Sequence, residues 1–193
     1  MILATRNLHK VGELELMLPG IGLEPLPDEV ASPEEDGETF AANALIKARS
    51  AREATGEAVV ADDSGIEVEA LDGRPGVRSA RYAGEDADDE SNLGKVLREV
   101  AAADGSRRAR YVCVIALIDG EGEEFLFEGT CEGTLVTEPR GDGGFGYDPA
   151  FVPDETGTSD DRTMAEISPE EKNAISHRGK AARLLADHLN LPH

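Results

Sequence analysis

The sequence predicts an α/β protein that is built on a mixed β-sheet. Short apolar runs of strand character alternate with segments of helical periodicity, which is typical of this fold class. The segments RYVCVIALID and EEFLFEGTCEGTLV are separated by the turn GEG and are interpreted as an antiparallel hairpin, so the sheet is not wholly parallel. The 193 residues, of which 39% are hydrophobic, can bury a sizeable core, and we expect a single domain over 1–193.

The charge balance of the chain argues against several classes of partner. There are 40 Asp and Glu residues against 19 Lys and Arg residues, which gives a net charge of −21. Such an acidic protein repels DNA, RNA and anionic membranes, so we expect no nucleic-acid partner and no membrane partner. The start of the chain lacks a charged n-region and a signal h-region, and no apolar run reaches about 18 residues. These features predict a cytoplasmic protein.

The chain opens with a predicted strand over Met1–Ala4, and helical periodicity extends from Lys10 to Leu18. The polar segment TRNLHK lies between them and begins at Thr5. A polar turn before a helix start can bind phosphate oxygens, because the helix N-terminus carries partial positive charge and a lysine adds a full one. The segment lacks the glycines of a Walker loop, and an Asn that caps the helix is the alternative interpretation.

A second helix is predicted over Thr39–Ala54 from its Ala-rich composition. Asn43 and Lys47 are four residues apart and therefore lie on one face of this helix. The acidic run from Glu34 to Asp36 comes just before it. These acids can be ligands, but acidic residues near a helix start are also favourable for the helix dipole alone.

Two adjacent carboxylates, Asp62 and Asp63, follow the apolar run AVV. A short Val-rich run bounded by a turn signal predicts a strand, and ligand sites of α/β proteins often lie at the carboxyl ends of strands. A solvated turn is the alternative, because Asp, Ser and Gly all form turns. A second strand, IEVEAL, is expected next, followed by a surface loop with the sequence GRPGVRSARYAG.

The second half of the chain continues with a helix over Asp89–Ala102 and the hairpin, whose strands contain both cysteines. Cys113 and Cys131 fit no metal-binding spacing, so we expect reduced core thiols. The next segment, RGDGGFGYDPAFVP, contains Phe145 and several glycines. An aromatic residue in a glycine-rich loop suits a flat ligand, and a plain surface loop is the alternative.

The C-terminal segment predicts two helices with a break between them. Ser168 and Glu171 form a capping box, which marks a helix start. In one continuous helix, His177 and Arg178 would point away from Lys172. Because Ser is a good N-cap, we expect a second helix that begins at residue 176 and presents His177 and Arg178 at its amino end.

Five segments resemble motifs of the inosine triphosphate pyrophosphatase family. They are TRNLHK, EEDGETFAANALIKA, ADDSGIEVEALDGRPGVRSARYAG, GGFGYDPAF and EEKNAISHRGKA, and together they span nearly the whole chain. The resemblance implies an elongated mixed β-sheet flanked by helices, two lobes around a central cleft, and a homodimer. It also implies Mg²⁺-dependent hydrolysis of non-standard purine nucleoside triphosphates, such as dITP, ITP, XTP and dXTP, to the monophosphate and pyrophosphate.

The resemblance also implies roles for single residues. Asp63 matches the proton acceptor of the family, and Arg6 stands where many members carry Gly. The implied metal ligands are Glu35, or Glu34 beside it, and Asp63 with Asp62 alongside. The implied substrate contacts are Thr5, Arg6, Asn7, Lys10 and Lys47 for the triphosphate, Ser64, Phe145, Gly146, Tyr147 and Asp148 for the nucleotide, and Lys172, His177 and Arg178 for the base.

Elementary chemistry agrees with these roles. Mg²⁺ prefers one or two carboxylates together with water and phosphate oxygens, so a pair of acids needs few distant partners to form a site. A nucleotide sensor without hydrolytic activity and a Maf-like pyrophosphatase acting on other nucleotides remain as alternatives. The carboxylates and lysines of the motifs argue against the first alternative, and the segments SHR and FGYD argue against the second.

Overall fold

The computed structural model describes residues 1–103, 105–157 and 160–191. It contains a mixed six-stranded sheet with the strand order β2-β1-β3-β4-β5-β6, accompanied by five α-helices. The α/β class and the mixed sheet are therefore confirmed. The strands are β1 (Ile2–Leu3), β2 (Glu24–Pro25), β3 (Val59–Val68), β4 (Arg108–Ile118), β5 (Glu124–Leu135) and β6 (Phe151–Pro153). The helices are α1 (Leu8–Met17), α2 (Phe40–Thr55), α3 (Asp89–Ala103), α4 (Pro169–Ile175) and α5 (His177–His188).

The strand pairings explain why the sheet is mixed. Strand β1 pairs in parallel with both β2 and β3, whereas β5 and β6 are antiparallel. Strands β4 and β5 are neighbours in the sheet, and the turn between them is closed by a hydrogen bond from the Asp119 amide to the Glu123 carbonyl. The expected hairpin is thus present. Strands β2 and β6 were not expected, because two or three residues carry too little pattern to indicate a strand.

The expectation that two strands flank the ADDSG turn is wrong. One strand of ten residues, β3, runs from Val59 to Val68, so Asp62 and Asp63 lie inside it rather than at its end. Both carboxylates are tolerated there because basic side chains neutralise them, as described below. Gly65 lets the following loop pack closely, since a Cβ at this position would lie 2.3 Å from the Ser79 hydroxyl.

The described residues fold into two compact units, each with its own hydrophobic core. The first unit comprises residues 1–63, 113–129 and 178–191, and the second comprises 64–112 and 130–177. Leu14, Ile115 and Leu185 are fully buried or nearly so in the core of the first unit. Ile66, Val96 and Phe151 are fully buried in the core of the second. Both cysteines are buried free thiols, as expected.

The helices were predicted more accurately than the strands. Helix α1 begins two residues before Lys10, because the side chain of Asn7 caps it and accepts hydrogen bonds from the amides of His9 and Lys10. Helix α2 is capped by Thr39 as its sequence indicates. None of the helices in the described part of the chain is both long and apolar enough to cross a membrane.

Candidate active site

Five charged side chains of the first unit form a group that we call the carboxylate–lysine cluster: Lys10, Glu35, Lys47, Asp62 and Asp63. The Lys47 ammonium lies 2.8 Å from Glu35 Oε2 and 3.1 Å from Asp63 Oδ1. The Lys10 ammonium lies 2.9 Å from Asp62 Oδ2. Neighbouring residues of a strand point to opposite faces, which explains why Asp62 and Asp63 bind different lysines. The cluster therefore combines three carboxylates with two cations.

Two helices deliver the lysines to this cluster. The Asn7 cap fixes the start of α1, so that Lys10 lies in its first turn. On α2, the buried Asn43 accepts a hydrogen bond from the Gly37 amide at 2.8 Å, which fixes the segment that carries Glu35. Lys47 follows on the same face of α2. The spacing of Asn43 and Lys47 was noticed in the sequence, but the positioning role of Asn43 was not.

The two adjacent aspartates have opposite electrostatic environments. Burial alone would raise the pKa of Asp62, but Lys10, Arg178 and Lys47 outweigh it and hold this pKa well below its usual range. Burial raises the pKa of Asp63 above its ordinary value, although Lys47 and Lys10 oppose the shift. Opposite shifts in neighbouring carboxylates are typical of sites in which one acid supports and the other reacts.

Arg178 adds a third cation next to the carboxylate–lysine cluster. Its guanidinium is 2% exposed and donates to the Glu13 carboxylate, and its Nη2 lies 3.6 Å from Asp62 Oδ2. Burial would lower the pKa of Arg178, but Asp62 and Glu13 raise it and keep the side chain charged. Sequence reasoning missed Glu13. Its position one turn after Lys10 on α1 was the available signal.

The second unit contains an aromatic cluster, which we define as Tyr111, Phe145, Asp148, Lys172 and His177. The buried Asp148 accepts hydrogen bonds from the Lys172 ammonium at 2.7 Å and the Phe145 amide at 3.0 Å through Oδ2, and from the Tyr111 hydroxyl at 3.0 Å through Oδ1. The Lys172 ammonium lies 4.9 Å from the centre of the Phe145 ring. The rings of Tyr111 and His177 stack with their centres 4.5 Å apart. The sequence analysis named Phe145, Asp148, Lys172 and His177 as site residues, but it missed Tyr111.

The loop that carries Phe145 is anchored at several points. Gly144 has a φ of +68°, and a Cβ there would lie 2.2 Å from Asp148 Oδ2, so this position requires glycine. The Gly146 amide donates to Asp89 Oδ2 at 2.8 Å. The Tyr147 hydroxyl donates to the Ser79 carbonyl at 2.8 Å. These contacts fix the loop to other segments of the second unit.

The expected break before His177 is present. Ser168 and Glu171 form the capping box of α4, and Ser176 separates α4 from α5 with an extended backbone. His177 and Arg178 are therefore the first two residues of α5, as the sequence indicates. The chain passes from the second unit to the first between these two residues.

The remaining predicted residues lie outside the two clusters. Thr5 accepts a hydrogen bond from the Asn7 amide at 3.2 Å. Arg6 donates to the carbonyls of Pro27, Asp28 and Val30. Glu34 is exposed, whereas Glu35 is half-buried against Lys47, so the geometry favours Glu35 as the acid that belongs to the cluster. Ser64 is half-buried within β3.

The fold and the cluster together define a class, namely α/β proteins with carboxylates and lysines gathered around a central strand, a composition suited to metal-assisted chemistry on phosphate groups. The chain belongs to the Ham1 family, whose model matches residues 1–188. This confirms the resemblance stated above.

Named relatives cover almost the full chain. It is 50% identical over 190 residues to a dITP/XTP pyrophosphatase of Halalkalibacterium halodurans, covering 95% of each protein. It is 48% identical over 195 residues to a dITP/XTP pyrophosphatase of Geobacter sulfurreducens, covering 98% of this chain and 96% of the relative. A solved structure of a HAM1 protein from Coxiella burnetii has a TM-score of 0.88 at 42% identity, covering 98% of this chain and 97% of that one.

Proposed function

We propose that this protein hydrolyses non-standard purine nucleoside triphosphates, namely dITP or ITP and XTP or dXTP, to the monophosphate and pyrophosphate. The observation that carries the proposal is the carboxylate–lysine cluster, in which acids suited to metal binding lie beside lysines suited to phosphate binding. The near full-length similarity to proteins named dITP/XTP pyrophosphatase supports the same activity.

The residues of the cluster fit a Mg²⁺ ion. Among the residues that the structure describes, the buried Oδ2 of Asp63 has no hydrogen-bond partner, which leaves an oxygen able to bind a cation. The described residues contain no group of three or more acids, histidines or cysteines arranged around one point, but Mg²⁺ needs only one or two carboxylates when water and phosphate supply the other ligands. Glu35 and Asp63 would hold the ion. Asp62 would act indirectly, because its negative charge interacts with Lys10 and Lys47, the same lysines that act on Asp63. When bound, Mg²⁺ supplies Lewis-acid stabilisation of negative charge on phosphate oxygens.

The chain's own residues account for the remaining steps. Lys10 and Lys47 would bind the triphosphate, with Thr5, Arg6 and Asn7 at the start of α1 nearby in sequence, and would neutralise charge on the departing pyrophosphate. Asp63 would accept the proton of the attacking water. The water oxygen then forms a bond to the α-phosphorus, and the bond between this phosphorus and the bridging oxygen breaks, with its electron pair leaving on pyrophosphate.

Selectivity for the base would come from donors near the start of α5. Hypoxanthine and xanthine present a 6-oxo acceptor, whereas adenine presents a 6-amino donor. Hydrogen-bond donors favour the 6-oxo acceptor, so Lys172, His177 and Arg178 would select hypoxanthine and xanthine over adenine. The loop from Phe145 to Asp148 would contact the nucleotide, since it combines an aromatic ring with anchored backbone.

We also propose a homodimer that acts in the cytoplasm, with no nucleic-acid or membrane partner. The net charge of −21 supports the absence of a nucleic-acid or anionic membrane partner, because the excess of acidic residues would repel it. The two lysines of the cluster offset little of this charge.

Pyrophosphate release tests the proposed function directly. Purified protein is incubated with dITP, XTP, dGTP and dTTP, with Mg²⁺ and with the metal removed by a chelator. We expect Mg²⁺-dependent release from dITP and XTP that is much faster than release from dGTP and dTTP. Absence of release from all four nucleotides would favour the sensor, and a preference for dTTP would favour a Maf-like activity.

A further inference from the structure

Tyr111 is a side chain of the aromatic cluster for which the proposed function has no role. It lies on β4 and is 6% exposed. Its hydroxyl donates to Asp148 Oδ1, and its ring stacks on His177 at an angle of 8° between the planes. Its other ring neighbour is Phe151, with the ring centres 4.6 Å apart. One buried residue therefore touches two of the side chains assigned to nucleotide and base contacts.

The hydrogen bond from Tyr111 fixes the orientation of the Asp148 carboxylate. Burial, followed by the charge of Asp148, raises the pKa of Tyr111 well above its ordinary value, so its hydroxyl keeps the proton that it donates. Donation to Oδ1 leaves Oδ2 facing Lys172 and the Phe145 amide. If the hydroxyl were absent, the carboxylate could rotate and Lys172 would move with it, because their hydrogen bond is charge-assisted.

We propose that Tyr111 is a positioning residue for base recognition, which acts through Asp148 and holds the Lys172 ammonium in the orientation that the purine base requires. This inference rests on the proposed function. His177 stacks on the face of the same ring. The ring of Tyr111 therefore positions His177, and its hydroxyl positions Lys172 through Asp148. The effect is specific to the base, since none of the described contacts of Tyr111 involves a member of the carboxylate–lysine cluster.

The variant Tyr111→Phe isolates the hydroxyl, because it keeps the ring that stacks on His177 and preserves the volume of the core. The binding effect comes from Lys172, because losing one hydrogen bond from a charged donor to the base changes binding about tenfold. We expect KM for dITP to rise about tenfold with kcat nearly unchanged. The inhibition constant of inorganic tripolyphosphate, which has no base, should stay the same. The unfolding midpoint should fall, because the buried Asp148 Oδ1 loses its donor.

A matched control is Tyr82→Phe. Tyr82 belongs to the same unit, and its hydroxyl also donates to a carboxylate, that of Glu99, outside the aromatic cluster. This variant should keep the KM for dITP of the unchanged protein. It removes a hydrogen bond from a tyrosine hydroxyl to a carboxylate, as Tyr111→Phe does. A rise in KM that occurs only in Tyr111→Phe is therefore due to the position of Tyr111 and not to the loss of a tyrosine hydroxyl as such.

Three outcomes would overturn the inference. They are an unchanged KM for dITP in Tyr111→Phe, an equal weakening of dITP and tripolyphosphate binding, and a loss confined to kcat. Failure of the proposed function is distinguishable, because in that case the unchanged protein itself would release no pyrophosphate from dITP. A selective rise in the KM for dITP supports the role of Tyr111.

Discussion

The carboxylate–lysine cluster and the aromatic cluster each hold a buried carboxylate, but they satisfy it differently. Asp148 accepts three hydrogen bonds, and both of its oxygens have protein donors. Asp63 binds Lys47 through Oδ1, whereas its buried Oδ2 has no hydrogen-bond donor among the described residues. A carboxylate that is fully satisfied orients its neighbours, and one with remaining accepting capacity can bind a metal ion or take a proton.

A second contrast, in electrostatic environment, exists within the first cluster between two consecutive residues. Asp62 is fully buried between Lys10 and Arg178, and its pKa is held far below the ordinary value. Asp63 has a raised pKa that results mainly from burial. We infer that Asp62 stabilises the cluster and Asp63 performs its chemistry. The substitutions below test this division.

The largest effect is expected for Asp63→Asn. The amide cannot accept the proton of the attacking water and is a poorer metal ligand, so turnover of dITP should fall about 10²- to 10⁴-fold. The unfolding midpoint should change little, and nucleotide binding should weaken less than the rate. Steady-state kinetics and thermal unfolding measure both quantities. The control Asp154→Asn removes an exposed, arginine-paired carboxylate and should remain active. Near-normal turnover of Asp63→Asn would remove Asp63 from its assigned role.

Asp62→Asn should instead act on stability. The buried Arg178 and the half-buried Lys10 lose a counter-ion, so the free energy of unfolding should fall by about 3 kcal/mol, moderated by the contact of Arg178 with Glu13. Because the pKa of Asp62 is depressed in the folded protein, its contribution is present above the unfolded-state value of about 3.9 and is lost as the pH falls below it. Denaturant unfolding of both proteins should therefore show a constant difference near neutral pH that shrinks in acid. A pH-independent difference would contradict this view of Asp62.

Arg178→Ala decides which of the two clusters this residue serves. If Arg178 donates to the 6-oxo group, its loss should reduce dITP hydrolysis about tenfold more than dATP hydrolysis, which we expect to be slow in the unchanged protein. The measured quantity is the ratio of kcat/KM for the two nucleotides. If both activities fell by the same factor, Arg178 would serve only as the counter-ion of Asp62 and Glu13.

An effect of similar size, but on KM and not on base selectivity, is expected for the lysines. Lys47→Ala and Lys10→Ala should each raise KM for dITP about tenfold, because each removes a charge-assisted contact to phosphate. The loss should depend on ionic strength, since added salt screens the remaining charges. Arg49→Ala is the matched control, because it removes one exposed cation from the same helix as Lys47. An equal rise in KM for Arg49→Ala would show a general charge effect.

Local signals in the sequence predicted the parts of the site that depend on neighbouring residues. The Asn7 cap, the capping box of Ser168 and the break at Ser176 each follow from the preferences of a few consecutive residues. The grouping of Lys10, Lys47 and the two aspartates came from the resemblance of whole motifs. Geometry then distinguished Glu35 from the exposed Glu34.

The parts that sequence reasoning missed depend on contacts between distant residues. The pair Asp62 and Asp63 indicated a turn, because the cations that allow both acids inside β3 come from α1, α2 and α5. The stacking of Tyr111 on His177 joins residues on a strand and on a helix that follows much later. Alternation along a strand indicates which face is buried, but it does not indicate which distant ring will lie against that face.

Isotope labelling tests the central claim, that water attacks the α-phosphorus of the nucleotide and pyrophosphate leaves. The protein hydrolyses dITP in H₂¹⁸O, and the products are separated and analysed by mass spectrometry. We predict one ¹⁸O atom in dIMP and none in pyrophosphate, with pyrophosphate as the only phosphate product. Label in pyrophosphate, or release of orthophosphate, would place the attack at another phosphorus and contradict the account.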